Sequence, residues 1–448
     1  MKYLPNTEED RKAMLDALGV ESIDDLFASI PEEVRFRGEL DIPEGMSEME
    51  LTRHVKELAD DNLNTQEYSC FMGAGVYDHF LPAAVDHMVS REEFYTAYTP
   101  YQPEVSQGTL QVIFEFQTLI SELTGMDVAN ASMYDGATAM MEGALMAGRL
   151  TRRGERVVVS SSVHPRYREV LRTYLHGVEW DLVEVPTQNG VTDVDAMREA
   201  VDENTIAVLM QNPNFFGLLE PAEDIQAITD EFRSAHLVVG CDPISLGVLR
   251  PPATYGADIV VGEGQPLGNP LSYGGPCLGF FAAGSRAIRR MPGRIIGQTE
   301  DVDGRRGFVM TMQTREQHIR RERATSNICT NEALNALAAT VYLSLMGKKG
   351  LREVAEQSMQ KAHYAAKKID ALNGYNLKYD QPFFKEFVVK TDRPASEIVS
   401  SLTEQKILAG VDLGQFCDSM ENELLVAVTE KRTKDEIDEL VAGLEGLS

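Results

Sequence analysis

No lysine lies between Lys56 and Lys348. Of the 42 lysines and arginines only 14 are lysine, and the 291-residue span without one covers most of the chain. Arginine does not replace it as a nucleophile, because the guanidinium stays protonated. Positive charge is scarce altogether: 70 acidic residues give a formal net charge of −28 and a pI near 4.7. That balance argues against a nucleic-acid backbone or an anionic membrane as partner. No apolar run reaches the roughly 18 residues of a transmembrane helix. The opening MKYLPNTEEDRKAML has no apolar core, so no secretory signal is expected. The five cysteines (Cys70, Cys241, Cys277, Cys329, Cys417) are odd in number and show no CxxC spacing. They fit buried or free thiols in a reducing cytoplasm better than a disulfide framework or a zinc site. No His/Cys/Asp/Glu cluster has metal spacing, so no metal is expected. Internal repeats and low-complexity segments are also missing.

What is present suits a soluble protein of two or three domains, with 43% hydrophobic residues over 448 positions. Residues 1–60 read as an N-terminal helical arm. Helix starts are expected at Thr7 with Asp10, at Ser22 with Asp24 and Asp25, and at Pro31. Residues 61–330 read as a large α/β domain. Helical spacing over 110–124 and 138–150 alternates with strand-like runs at 156–160, 178–185, 206–210, 237–240, 259–261 and 278–282. Helices are expected over 165–176 and 221–234, with another capped by Asp193. Near-continuous apolar strands between helices predict a mainly parallel sheet covered on both faces. A basic stretch follows (Arg315, Arg320, Arg321, Arg323). Residues 331–448 read as a small α+β domain, with a long helix broken near Gly347 and Gly350. Strands at 387–389 and 424–428 and helices at 394–405 and 433–446 complete it.

Three places could carry chemistry. Gly136, Ala137 and Thr138 follow Asp135 where a turn enters a helix, and N–H groups at a helix N-terminus favour a phosphate. An ordinary cap with small packing residues is the simpler explanation of them. His164 follows VVVSSSV at the carboxyl edge of the sheet, where open α/β sheets bind ligands. It could stack on a flat ring, act as acid or base, or be a hydrogen-bonded loop residue. Asp242 ends the strand LVVGCD. A carboxylate there can hold a protonated ring nitrogen, ligate a metal or cap a helix.

Their order matters more than any one of them. A small-residue helix start, a histidine after the next strand, an Asn-Pro turn (Gln211, Asn212, Pro213, Asn214) and an aspartate ending a later strand form the layout of a pyridoxal-phosphate enzyme of the aminotransferase fold, fold type I. Such enzymes hold the cofactor through a lysine Schiff base some twenty to thirty residues after the aspartate. Here that region, 256–268, reads GADIVVGEGQPLG and has no lysine. The gap is expected to leave no nearby substitute.

Four segments, 98–108 (YTPYQPEVSQG), 133–138 (MYDGAT), 211–217 (QNPNFFG) and 325–331 (TSNICTN), carry a more specific likeness. Through them the chain resembles the P-protein family of the glycine cleavage system, in its alpha (first) subunit form, over roughly its whole length. The resemblance implies glycine dehydrogenase (decarboxylating) activity as part of a complex. Glycine and lipoyl H-protein become aminomethyl-lipoyl H-protein and CO2, with pyridoxal phosphate as electron sink. It implies an α2β2 heterotetramer in the cytoplasm whose second (beta) subunit holds the cofactor covalently. This chain alone would be inactive, with no catalytic residue of its own. The lost lysine position falls near Gln265 and Pro266, and Gly136, Ala137, Thr138, His164 and Asp242 are left as a vestigial cofactor pocket. Tyr98, Tyr101, Glu104 and Gln107, with Ser326 and Asn327, are the expected intersubunit wall; the 98–108 loop could instead be a packed dimer contact. Cys329 could be a redox-sensitive thiol or an inert buried cysteine. Two other readings are a pyridoxal-phosphate lyase using Lys348, Lys349 or another outlying lysine, and a cofactor-less scaffold that reuses the fold.

Overall fold

The computed structural model describes residues 5–151, 154–312 and 316–447; Arg315 lies outside the described residues. Two compact units divide at Leu63 and Asn64.

In the first unit, helix Glu8–Leu18 starts at a reciprocal Thr7/Asp10 cap and ends at Gly19. A 3-10 turn at Ile23–Phe27 is capped by Ser22 and Asp25, and another at Glu32–Val34 follows Pro31. Helix Glu48–Asp60 is capped by Ser47 and Glu50. These caps satisfy the N–H groups that a helix leaves open at its start. None of the described residues up to Leu63 is buried, and Phe27, Phe36, Leu40, Ile42 and Met49 are exposed.

The second unit is built on a seven-stranded sheet. Its order is Val128–Ala129, Gly279–Ala283, Ile259–Glu263, His236–Gly240, Thr205–Gln211, Arg156–Ser160, Asp181–Val185. The last five run parallel, and Gly279–Ala283 is antiparallel to both of its neighbours. The β-branched runs RVVVS, TIAVLMQ and IVVGE are buried on both faces, so alternate residues feed two cores. Val157, Val159 and Leu209 pack with Met140 and Ala144 of helix Gly136–Leu150. Val158, Val208 and Met210 pack with Phe116 and Ile120 of helix Gln107–Thr124 and with Tyr342. Helix Pro165–Val178 takes proline in its first turn, where the missing N–H costs nothing.

The 178–185 strand begins only at Asp181. Helical spacing of Leu171 and Leu175 carries the helix to Val178, and Glu179 turns the chain with φ 59°. The hairpin Ile295–Glu300 with Arg306–Thr311 was not expected from the sequence; its outer residues are exposed and polar, which hides the strand period. Helix Ala333–Asp370 breaks at Gly347 (φ 56°, ψ −173°), a conformation that glycine reaches without a Cβ penalty, and runs on through Gly350.

A four-stranded antiparallel sheet follows: Tyr375–Leu377, Glu386–Thr391, Glu423–Ala427, Val411–Asp412. Phe387, Val389, Leu424 and Val426 face helices Ala395–Thr403 and Lys434–Glu445. Val388 and Leu425, one residue out of phase, face Phe215, Phe216 and Leu218 of the large sheet's loop. This second contact brings the segment before Glu386 to the carboxyl edge of the large sheet. Leu219 N–H donates to Pro382 O and Phe384 N–H to Gly217 O.

Candidate functional site

Asp242, Gln211 and Glu263 all lie at the carboxyl ends of the parallel strands, and they line one small pocket with Gly75, Tyr77, Tyr167 and Pro266. Its volume is about 30 Å³. That admits a water or two, against the hundreds of Å³ of an ordinary ligand site. Beside it, Asp242 meets a side chain from the segment that enters the small sheet. Lys385 is 2% exposed, and its Nζ lies 2.7 Å from Asp242 Oδ2. The same ammonium donates to His79 Nε2 at 2.9 Å and sits 3.6 Å from the centroid of the Tyr77 ring. His79 Nδ1 then faces Glu430 Oε2 at 2.5 Å. Burial, and then the Lys385 charge, lower the His79 pKa and favour the neutral ring that accepts from lysine and donates to Glu430. Burial opposes ionisation of Glu430, but the hydrogen bonds from His79 Nδ1 and Phe80 N–H outweigh it and keep this carboxyl below its ordinary value.

The other end of the pocket is closed by a carboxylate. Gly136 N–H, the first of its helix, donates to Glu263 Oε2 at 3.0 Å. Glu263 Oε1 accepts from Gln265 N–H and Leu278 N–H. Burial pushes Glu263 up to about 7 against these three donors. Asp135 caps the same helix through Thr138 N–H at 2.8 Å, and Thr138 Oγ1 donates back to Asp135 O. A Cβ added at Gly136 would meet the Tyr167 hydroxyl at 2.2 Å. Ala137 stands between these two engaged positions in the first turn.

These residues do not fit pyridoxal phosphate. Its ring nitrogen would need Asp242, which already holds an ammonium. Its phosphate would need the start of helix Gly136–Leu150, where Glu263 already takes the Gly136 N–H and Asp135 the Thr138 N–H. Gln265, near the position where the sequence resemblance places the lost lysine, has its amide in use: Oε1 accepts from Tyr77 N–H, and Nε2 donates to Tyr77 O and Asn269 O. Pro266 lines the pocket without a side-chain donor. His164 is equally committed. Its Nε2 donates to Ala74 O at 2.9 Å, its Nδ1 accepts from Arg166 N–H, and its ring stacks on Tyr167 with centroids 4.9 Å apart. Burial holds its pKa at about 4. One sequence expectation is corrected here. The gap still leaves a lysine beside Asp242, though not as a Schiff-base substitute, because Lys385 returns to it from 143 positions further along the chain.

The 98–108 loop behaves differently. Tyr98 is 86% exposed, and Tyr101 and Glu104 are also exposed. With Phe94, Pro100, Arg294, Thr330, Asn331 and Leu337, Tyr98 lines a cavity of about 240 Å³. Arg294 is buried behind it; it donates to Cys329 O and Thr330 Oγ1, and its guanidinium lies 5.8 Å from the Tyr101 ring centroid. Its buried Nε has no hydrogen-bond partner. Gln107 is tied down, donating to Pro103 O and Phe308 O and accepting from Phe308 N–H. Ser326 Oγ donates to Glu142 Oε1 at 2.6 Å, while the amide of Asn327 only reaches the Tyr174 hydroxyl at 3.5 Å. Cys329 is exposed, not buried, and its N–H donates to the Tyr134 hydroxyl.

The structure thus places Asp242 on one small pocket, which Gly136 reaches through its hydrogen bond to Glu263, and Tyr98 on a larger cavity beside the Arg294–Tyr101 contact. Lys385, Glu263, His79 and Arg294 escaped sequence reasoning. For Lys385 a signal existed: 382–389 reads PFFKEFVV, a charged pair inside an apolar run, which is the pattern of a buried and partnered group.

The family described as Glycine cleavage system P-protein matches residues 1–444. Probable glycine dehydrogenase (decarboxylating) subunit 1 of Carboxydothermus hydrogenoformans is 55% identical over 446 residues, covering 100% of both chains. A solved glycine decarboxylase (P-protein) of the glycine cleavage system, in inhibitor-bound form, superposes with a TM-score of 0.92 at 43% identity, covering 100% of each chain. Lactobacillus brevis glutamate decarboxylase, at 13% identity, shares the fold alone, with a TM-score of 0.68 over 94% of this chain and 98% of that one. The fold is that of the pyridoxal-phosphate-dependent enzymes of fold type I, and the chain belongs to the glycine cleavage system P-protein family.

Proposed function

We propose that the chain is the subunit of a decarboxylating, aminomethyl-transferring glycine dehydrogenase that carries no Schiff-base lysine, and that it forms one wall of an active site completed by a second subunit. The second (beta) subunit holds pyridoxal phosphate covalently in an α2β2 assembly in the cytoplasm. Glycine and lipoyl H-protein are the substrates.

The observation that carries this reading is the Asp242 pocket, too small for a cofactor and with Asp242 already paired to Lys385. A family defined by glycine decarboxylation then needs its cofactor elsewhere. The exposed 98–108 loop supports a wall: Tyr98 and Tyr101 offer rigid rings that exclude water, and Pro100 and Pro103 stiffen the backbone between them. Arg294 supplies a buried positive charge suited to a small carboxylate beside that wall. Gln107 acts through position, fixing the loop to the hairpin strand Arg306–Thr311. The first unit, with large apolar side chains and no buried residue, supports a chain that is completed by a partner.

The test is glycine-dependent CO2 exchange with lipoyl H-protein. Mixed with a lysine-bearing partner subunit, this chain is expected to raise exchange well above the partner alone, while showing none by itself. No increase on mixing would favour a scaffold. Exchange by the isolated chain would mean an independent lyase.

A further inference from the structure

The charges around Asp242 come in a pattern that the reading above does not require. A subunit that merely lost its lysine would keep a vacant pocket. This one has a cation at the ring-nitrogen end and a carboxyl group at the phosphate end. We infer that Lys385 and Glu263 occupy the places of the cofactor's two ends, an ammonium where the ring nitrogen would lie and a hydrogen-bonded carboxyl where the phosphate would lie, locking the site shut and tying the small sheet to the large one.

The backbone around Lys385 is shaped for this. Gly217 adopts φ 82°, and a Cβ there would lie 1.8 Å from Glu386 O. Only glycine lets the 384–386 segment come this close to the loop after Gln211. A Cβ at Gly73 would lie 2.1 Å from Glu386 Oε1. Glu386, next to Lys385, accepts from Ala74 N–H at 2.7 Å and from the Tyr77 hydroxyl at 2.8 Å. One dipeptide of the small sheet therefore holds both the Asp242 carboxylate and the 74–77 segment that roofs the pocket.

Lys385 is not a displaced Schiff-base lysine. On the pyridine ring the aldehyde carbon is para to the nitrogen. A lysine paired with the carboxylate that would hold that nitrogen stands in the ring's own place, and ring and ammonium exclude each other.

The inference rests on the proposed function for its setting, but its test uses this chain alone. Lys385→Ala is expected to lower Tm by several degrees. Propylammonium, which restores the missing cation, should recover much of the loss, whereas propanol of equal size recovers little and wild type responds to neither. Should Lys385→Ala fail to fold, Lys385→Met, Asp242→Asn and the double variant form a cycle; the double is expected to lose less than the sum of the singles. Wild type should bind neither pyridoxal phosphate nor pyridoxamine phosphate by calorimetry at millimolar concentration. Rescue by propanol as good as by propylammonium, additive losses in the cycle, or a borohydride-trapped adduct on Lys385 would each overturn the inference. None of these outcomes alters the exchange assay, so the two readings fail separately.

Discussion

The Asp242 pocket and the Arg294 cavity lie in one compact unit and are both lined by charged and aromatic groups, yet they have opposite characters. In the first, every charge named above meets an opposite charge or a hydrogen-bond donor from the chain itself, and about 30 Å³ remains. In the second, about 240 Å³ stays open beside a tyrosine that is 86% exposed and an arginine with an unpaired Nε. A set of ligand-binding residue types therefore does not make a site. What matters is whether the chain has already satisfied them. Charges bound internally lend stability and specificity of packing; charges left open lend binding.

The strongest way to break this contrast is to unpair the filled pocket. Asp242→Ala leaves the Lys385 ammonium buried with only His79 and the Tyr77 ring. Removing one partner of a buried pair costs about 3–5 kcal/mol. Urea unfolding should show a loss of that order. A loss under about 1 kcal/mol would mean that the lysine simply swings out to water, and the pocket would then be no more locked than the cavity.

Next comes pH. Burial pushes both Glu263 and Glu386 up to about 7 from an ordinary value of 4.5. The folded chain then keeps protons that the unfolded chain has released. The stability these groups contribute is present below about 4.5 and is lost as pH rises through about 7. His164, held at about 4 by burial, works the other way, losing stability as pH falls from 6.5 towards that value. Glu263→Gln should remove its share of the alkaline-side loss, about 3 kcal/mol at most between pH 4.5 and 8. Stability curves of variant and wild type that stay parallel across that window would show that Glu263 does not titrate there.

A smaller effect is expected at Gly217→Ala. It adds strain at φ 82° and drives a Cβ into Glu386 O. A cost of about 2 kcal/mol is expected from the conformation alone. The variant sharpens the comparison because it moves the Lys385 segment without touching a charge; it should partly open the Asp242 pocket and leave exchange activity with the partner subunit largely intact.

How much of this was readable beforehand follows the same division. Strand and helix periods in 110–261 revealed the parallel sheet, because both faces are buried and local pattern dominates there. Asp242 and the Asp135–Thr138 turn were legible as the frame of a cofactor site because each follows the end of a strand of the large sheet. Their contents were not legible. Lys385 is far from Asp242 in sequence, and only the packing of Val388 and Leu425 against Phe215 brings it there. Glu263, just past the expected 259–261 strand, went unread, since nothing local announces that three backbone N–H groups converge on it. The Gly279–Ala283 strand was legible but its antiparallel direction was not, and the Ile295–Thr311 hairpin was obscured altogether, both being defined by partners rather than by their own period.

The smallest expected effect on stability bears most directly on function. Tyr98→Ala removes a ring that is 86% exposed, so Tm and urea midpoint should move by no more than about 0.5 kcal/mol. If that ring walls an intersubunit site, glycine–CO2 exchange by the assembled subunits should nevertheless fall about tenfold, as for truncation of an aromatic anchor at an interface. Gln107→Ala is the counterpart. Its amide makes three hydrogen bonds that pin the loop to Phe308 and Pro103. Losing them should cost about 1–2 kcal/mol of stability and weaken exchange only through a looser loop. The two variants should therefore separate cleanly, one silent in unfolding and loud in exchange, the other the reverse. Equal exchange by Tyr98→Ala and wild type would remove the loop from the active-site wall and leave it as a contact between chains.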